Sequence, residues 1–159
     1  MSNKLFLVCP FSCMENYIRT NYGDDVFFIT AMAAVFQSEE QEYIQDIAAL
    51  IAGENITQIF VVNDTSCRFI NNVLKKESGF DTPAEKILQK IYSDNHSSFP
   101  HGQPLPEQQK TLAMLNVKQQ ADEIMKQLVS QQRHFGKIKI TGLVTMKASN
   151  SMTEININN

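Results

Sequence analysis

Two hydrophobic rhythms run along this chain, and the sharpest change between them falls within Ile56–Leu74. Ile59–Val62 is an unbroken apolar run rich in β-branched residues. Asn63, Asp64 and Thr65 follow it, and then apolar residues at helical spacing: Ile70, Val73 and Leu74. A short continuous apolar run suits a strand buried on both faces. The Asp-Thr-Ser stretch after it suits a helix start, with Asp64 as the cap. The pattern predicts strand, tight turn, helix, the unit of an open α/β sheet, whose ligands gather at the carboxyl ends of the strands. Asp64 and Cys67 stand at that end.

The same logic extends in both directions. Lys4–Cys9 is a second strand, ended by Pro10, with Cys9 at its carboxyl end. Met14–Asn21 reads as a short helix, Gly23-Asp24-Asp25 as a turn and Val26–Ile29 as a third strand. Ser38 and Gln41 fit a capping box, ahead of a helix with Ile44, Ile47, Ala48 and Ile51 on one stripe and Gly53 as its stop. Thr82-Pro83-Ala84-Glu85 opens another helix, expected to reach Tyr92. Ser93–Pro104 reads as a polar loop. The longest helical pattern runs from Pro106 to about His134, with Val117, Ala121, Ile124 and Leu128 on its apolar stripe and Met125 and Val129 beside it. Lys137–Met146 is the closing strand, interrupted by Gly142, and Ile155 and Ile157 mark a short edge strand. Strand, strand, helix, strand, helix is the order of a largely parallel sheet. The expected fold class is α/β, a mainly parallel central sheet with flanking helices. The methionines, Met114, Met125 and Met146 among them, are expected to fill the core.

Size and charge narrow the function classes. At 159 residues the chain is expected to form one domain, residues 1–159, with a real core. A net charge of −3 gives no nucleic-acid footprint. No apolar run approaches the ~20 residues that a membrane span needs. Leu5–Val8 is too short for a signal-peptide core, so a cytoplasmic location is expected. Cys9, Cys13 and Cys67 are odd in number, which argues against a disulfide framework and for reduced thiols.

Taken in order, these pieces resemble a β-class carbonic anhydrase over nearly the whole chain. Cys9-Pro10-Phe11-Ser12-Cys13 takes the place of that family's Cys-x-Asp-x-Arg. The strand led by Gly23-Asp24 runs into Thr30-Ala31-Met32-Ala33, where the family has Arg-Asn-Ala-Gly. Asp64-Thr65-Ser66-Cys67-Arg68 takes the place of His-x-x-Cys-Gly. Asn116-Val117 matches the start of the family's long helix, and Gly142 the glycine of its closing strand. The resemblance implies a zinc ion held by Cys, His and Cys, an Asp–Arg pair beside it, and a homodimer. Here both zinc cysteines remain, as Cys9 and Cys67, but the His is Asp64, the Asp is Phe11 and the Arg is Cys13.

Three functions follow. In the first, a pseudoenzyme has lost CO2 hydration, holds no metal or a metal with no open position, and serves as a binding or scaffold module. In the second, a zinc-dependent lyase works with altered ligands, Cys9, Asp64 and Cys67, with Cys13 as a further thiolate. Three negative ligands against Zn²⁺ would make bound water less acidic. In the third, a metal-free anion or small-molecule binder uses the pocket around Phe11, Thr30 and Arg68. The first is favoured, because the His and the Asp–Arg pair are replaced together. On that reading Phe11 plugs the pocket by apolar packing, Asp64 is a helix cap, and Cys9 and Cys67 pack as small apolar groups. His96 and His101 are expected to be solvated in their loop, and His134 to suit its helix's negative end.

Overall fold

The computed structural model describes residues 2–77, 79, 81–129 and 138–157. Its strands are β1 (Asn3–Val8), β2 (Val26–Thr30), β3 (Ile56–Asp64), β4 (Lys139–Met146) and β5 (Ser151–Asn156). They form one sheet in the order β2-β1-β3-β4-β5. The first four are parallel and β5 returns antiparallel on β4. The α/β class and the mainly parallel sheet are as expected. β3 lies in the middle, and nearly all of its positions are buried, which is why its sequence is continuous rather than alternating.

Residue parity decides which layer each strand side chain enters. Leu5, Leu7 and Cys9, with Ile59 and Val61, face the larger core. Over that face lie α2 (Gln41–Gly53), α3 (Arg68–Lys75), α4 (Pro83–Asp94) and α5 (Leu105–Ile124). Phe6 and Val8, with Phe60, Val62 and Leu143, face a smaller core covered by α1 (Glu15–Tyr22) through Ile18. Phe6 and Phe60 stack across the two strands with ring centroids 4.6 Å apart. Tyr22 at the end of α1 donates to Glu154 at 3.2 Å, which ties this layer to β5.

Several local expectations shift. α2 begins at Gln41 behind Glu40, which gives no side-chain cap, so Ser38 lies in the preceding turn rather than at a capping box. Gly53 closes α2 from within, and Asn55 supplies the left-handed residue instead. α4 starts as expected, Thr82 accepting from the Glu85 amide at 3.3 Å, and runs on to Asp94. Phe99, in the stretch read as a polar loop, is buried against Tyr92 at 4.7 Å. α5 starts at Leu105 and passes into a π-helical turn at Met125–Val129. Its expected stripe is buried through Leu128. Val129's side chain, His134 and the start of the closing strand at Lys137 lie outside the described residues. Met114 and Met146 are exposed, Met125 packs partly buried against the larger core, and Met14 is sealed in the smaller one.

Gly142 sits on β4 opposite α5. A Cβ there would stand 2.9 Å from Val117 Cγ2 and 3.3 Å from its Cβ. Valine's stiff side chain cannot turn aside. Gly142→Ala is expected to destabilise the fold by about 1–3 kcal/mol through overpacking. Denaturant melts of the single variant and of Gly142→Ala with Val117→Ala check this; the second change should recover part of the loss.

Candidate functional site

The carboxyl ends of β1 and β3 lie side by side in the middle of the sheet. Cys9 is the first residue after β1, and its backbone stays extended. Cys67 is the residue from which α3 starts. Both are sealed, 2% and 3% exposed, on the larger-core face. The two thiols act on each other, and their titrations move in opposite directions. The Cys9 sulfur also accepts from the backbone amides of Ala33 and Phe11 and from the Ser12 side chain. These donors, Cys67 foremost, favour the thiolate and pull Cys9 down to about 6 from 9.0, against the opposing effect of burial. Cys67 moves the other way, since its proton is held by Cys9 and the site is dry. Amides of Phe69 and Ile70, in the first turn of α3, point at its sulfur.

Asp64 is the next even residue after Phe60 and Val62, and its carboxylate emerges on the opposite face, beside α1. Oδ1 accepts from Thr145 Oγ1 at 2.7 Å and from the Lys147 amide at 3.0 Å. Oδ2 accepts from the Ser66 amide at 3.0 Å and from the Ser66 hydroxyl. Four donors saturate a carboxylate that is 2% exposed. Asp64 therefore does not cap α3: it ends β3 and holds an Asx-type turn, while the cap position belongs to Cys67.

Asn63, one residue earlier, points to the sulfur side. Asn116 Nδ2 donates to Asn63 Oδ1 and to the Ala33 carbonyl, both at 2.8 Å. Gln120 donates to Asn116 Oδ1 at 3.2 Å and accepts from the Phe36 amide at 3.0 Å. All three amide side chains are buried. They fasten the Ala31–Phe36 segment, where Ala33 and Ala34 both adopt left-handed backbone, φ 55° and 54°. Asn116 thereby positions the Ala33 peptide, whose N–H faces Cys9. Asn63 Nδ2 has no hydrogen-bond partner among the described residues.

Phe11 does not plug the site. It is 51% exposed and leans on Phe69 at 5.7 Å, with the Arg68 guanidinium over its ring at 4.8 Å. The expected apolar packing fails because the Pro10–Ser12 turn carries the ring outward from the strand end. Thr30 is exposed at the end of β2. Cys13 is exposed with φ 49°, and Lys147 Nζ donates to its carbonyl at 3.0 Å. His96 and His101 are exposed. The structure thus joins Cys9 to Cys67 and joins Phe11 to Arg68, while Asp64 belongs to a separate knot. Asn63, Asn116, Gln120 and Thr145 were missed. Asn116 and Gln120 carried a signal, because they fall in phase with Leu112, Ala113, Val117 and Ala121 on the buried face of α5.

A zinc ion would need a third donor beside the two sulfurs. Among the described residues no group of three or more His, Cys, Asp or Glu side chains is placed to hold a metal ion. The saturated Asp64 carboxylate, on the far face, does not fit that role.

The sequence matches the carbonic anhydrase family over residues 5–151. The chain belongs to the β-carbonic anhydrase family. The fold is similar to the β-carbonic anhydrase CafA of the fungal pathogen Aspergillus fumigatus, with a TM-score of 0.82 and 18% identity, covering 99% of this chain and 77% of that one. Tetrameric β-carbonic anhydrases of Sordaria macrospora match with a TM-score of 0.79 and 16% identity, over 97% of this chain and 80% of theirs. The Coccomyxa enzyme in complex with acetazolamide matches at 0.79 and 16%, over 97% and 72%. At such identities these likenesses speak for the fold. Comparison with curated proteins returns no match.

Two outcomes are expected at this site. Asn116→Ala orphans the Ala33 carbonyl and Asn63 Oδ1 together, and should cost at least about 2 kcal/mol at roughly 1–3 kcal/mol per buried group. It should also raise the pH at which thiolate absorbance appears in Cys13→Ser protein. Separately, between about pH 6 and 9 the unfolded chain keeps a proton on Cys9 that the folded chain has released. Stability should therefore rise with pH across that window. Above 9.0 the unfolded chain releases the Cys67 proton that the fold retains, and the trend should turn down. Urea midpoints under reducing conditions, compared with those of Cys9→Ala, check the sign.

Proposed function

We propose that this protein keeps the β-carbonic anhydrase frame without hydrating CO2, as a pseudoenzyme with a binding or scaffold role. One observation carries the reading. The residue at the family's His position, Asp64, is turned to the other face of the sheet and saturated by four donors. Two thiols remain, and two ligands do not make the three-ligand site of a catalytic zinc. Phe11 and Cys13, in place of the Asp–Arg pair, supply neither a carboxylate nor a guanidinium from those two positions to orient a metal-bound hydroxide. The altered-ligand lyase would need Asp64 to abandon its four hydrogen bonds, a loss of about 1.5–3 kcal/mol for each bond to a charged group.

The cofactor on this reading is none, the unit a single domain and the compartment the cytoplasm. Free cysteines are at home in a reducing compartment. A homodimer is the assembly we propose. The tetrameric Sordaria relatives support association between copies.

Protein purified without tag or chelator should carry far less than one zinc per chain by mass spectrometry. It should leave CO2 hydration at the buffer rate in a stopped-flow assay and melt at the same temperature with and without chelator. Asp64→His alone should restore nothing, since the new side chain starts on the wrong face. Near-stoichiometric zinc, with hydration abolished by Cys67→Ala, would overturn the reading.

A further inference from the structure

A cavity of about 470 Å³ lies between the segment that follows β2 and the first turn of α4. That is the size of a small-molecule site. Val35, Phe36 and Ala84 line it and are buried, while Ile87 and Met32, the latter 43% exposed, line it nearer solvent. The walls are fixed by the fold itself. The Phe36 amide donates to Gln120 at 3.0 Å, and the Phe36 ring rests on Tyr43 with centroids 5.5 Å apart. On the other side Thr82 accepts from the Glu85 amide at 3.3 Å, which sets the start of α4. A preformed cavity spends little on ordering when a ligand enters.

The charge around the cavity has one sign. Glu39 and Glu40, both exposed, belong to its lining, in the turn ahead of α2. Backbone bonds hold that turn, from the Ser38 amide to the Phe36 carbonyl at 3.0 Å and from the Glu40 amide to the Gln37 carbonyl at 3.2 Å. Among the described residues neither carboxylate is in an ion pair, and no Lys, Arg or His lines the cavity. An apolar floor with two carboxylates at the rim is complementary to a ligand that is apolar at one end and positively charged at the other. An anion would meet like charge there. A bare metal ion would find two carboxylates and no further donor of its kind among the described residues.

We propose that this cavity binds a small organic cation, a primary amine on an apolar body, with the body against Phe36, Ala84 and Ile87 and the ammonium at Glu39 and Glu40. The inference goes beyond the proposed function: it places a ligand away from the thiol pair, and it holds whether or not that pair carries a metal.

The test is amide NMR of the untagged full chain, titrated with phenethylamine and n-hexylamine, with zinc measured on the same samples. Both amines should shift the amides of residues 32–40 and 84–87. Phenethyl alcohol and hydrocinnamate, which keep the apolar body without charge or with a negative one, should bind at least roughly fivefold more weakly, since two exposed ion pairs are lost. Methylamine, which has the charge without the body, should bind as weakly. Glu39→Gln combined with Glu40→Gln changes only exposed side chains and should bring the amines level with the alcohol. Ala84→Leu, which fills the floor, should weaken amines and alcohol alike; should it fail to fold, the glutamine variant still decides. Amines that shift nothing at millimolar concentration, that bind no better than the alcohol, or that bind the glutamine variant unchanged would overturn the inference and leave the proposed function standing. Near-stoichiometric zinc with CO2 hydration, in protein that still binds the amines at these residues, would overturn the proposed function and support the inference.

Discussion

The pleat of β3 is the constraint on which the site depends. Side chains on a strand alternate between its faces, and neighbours cannot exchange sides without a slip in register. Seven paired positions with β4, from Gln58–Lys139 to Asp64–Thr145, fix that register up to the strand's last residue. Asn63 is thereby committed to the sulfur side and Asp64 to the α1 side. The separation of Asp64 from the two cysteines is thus set by the backbone ladder rather than by a rotamer. Thr145, opposite Asp64 on β4, points to the same face and supplies one of its hydrogen bonds.

On the sulfur side the same ladder brings Asn63 to α5, and the buried amides of Asn116 and Gln120 meet it there. Buried polar groups are tolerated when satisfied, and this network pairs its members except Asn63 Nδ2, so most alternatives would orphan further donors or acceptors. This network links β3, α5 and the segment after β2, and so sets the geometry of amides that no side chain of Cys9 or Cys67 could control. The chemistry of the two thiols is in this sense decided on a helix with which neither shares an element.

Much of the frame was legible in the sequence. β1, β2 and β3 announced themselves as apolar runs, α4 by its Thr82 cap, and the order of elements carried the family resemblance. The layer of Asp64 was not legible. The apolar run stops at Val62, so polar Asn63 and Asp64 read as a turn, and only the ladder to β4 shows that the strand continues through them. Asn116 and Gln120 were passed over because a helical stripe was sought among apolar residues alone. Phe11 read as a plug because its type was weighed without its turn, which carries it outward. Ser38 misled for a local reason: its capping signature is genuine, yet the helix starts two residues later behind a residue with no cap.

Ala33 and Ala34 hold a consequence of their own. Each lies in the left-handed region, where a Cβ crowds the backbone and costs about 1–2 kcal/mol. Glycine would sit there without that cost. The segment is therefore a loaded spring, and Asn116 and Gln120 are its latch. Weakening the latch would let that strain relax toward ordinary backbone, so the two amides hold a conformation that the alanines alone would not choose.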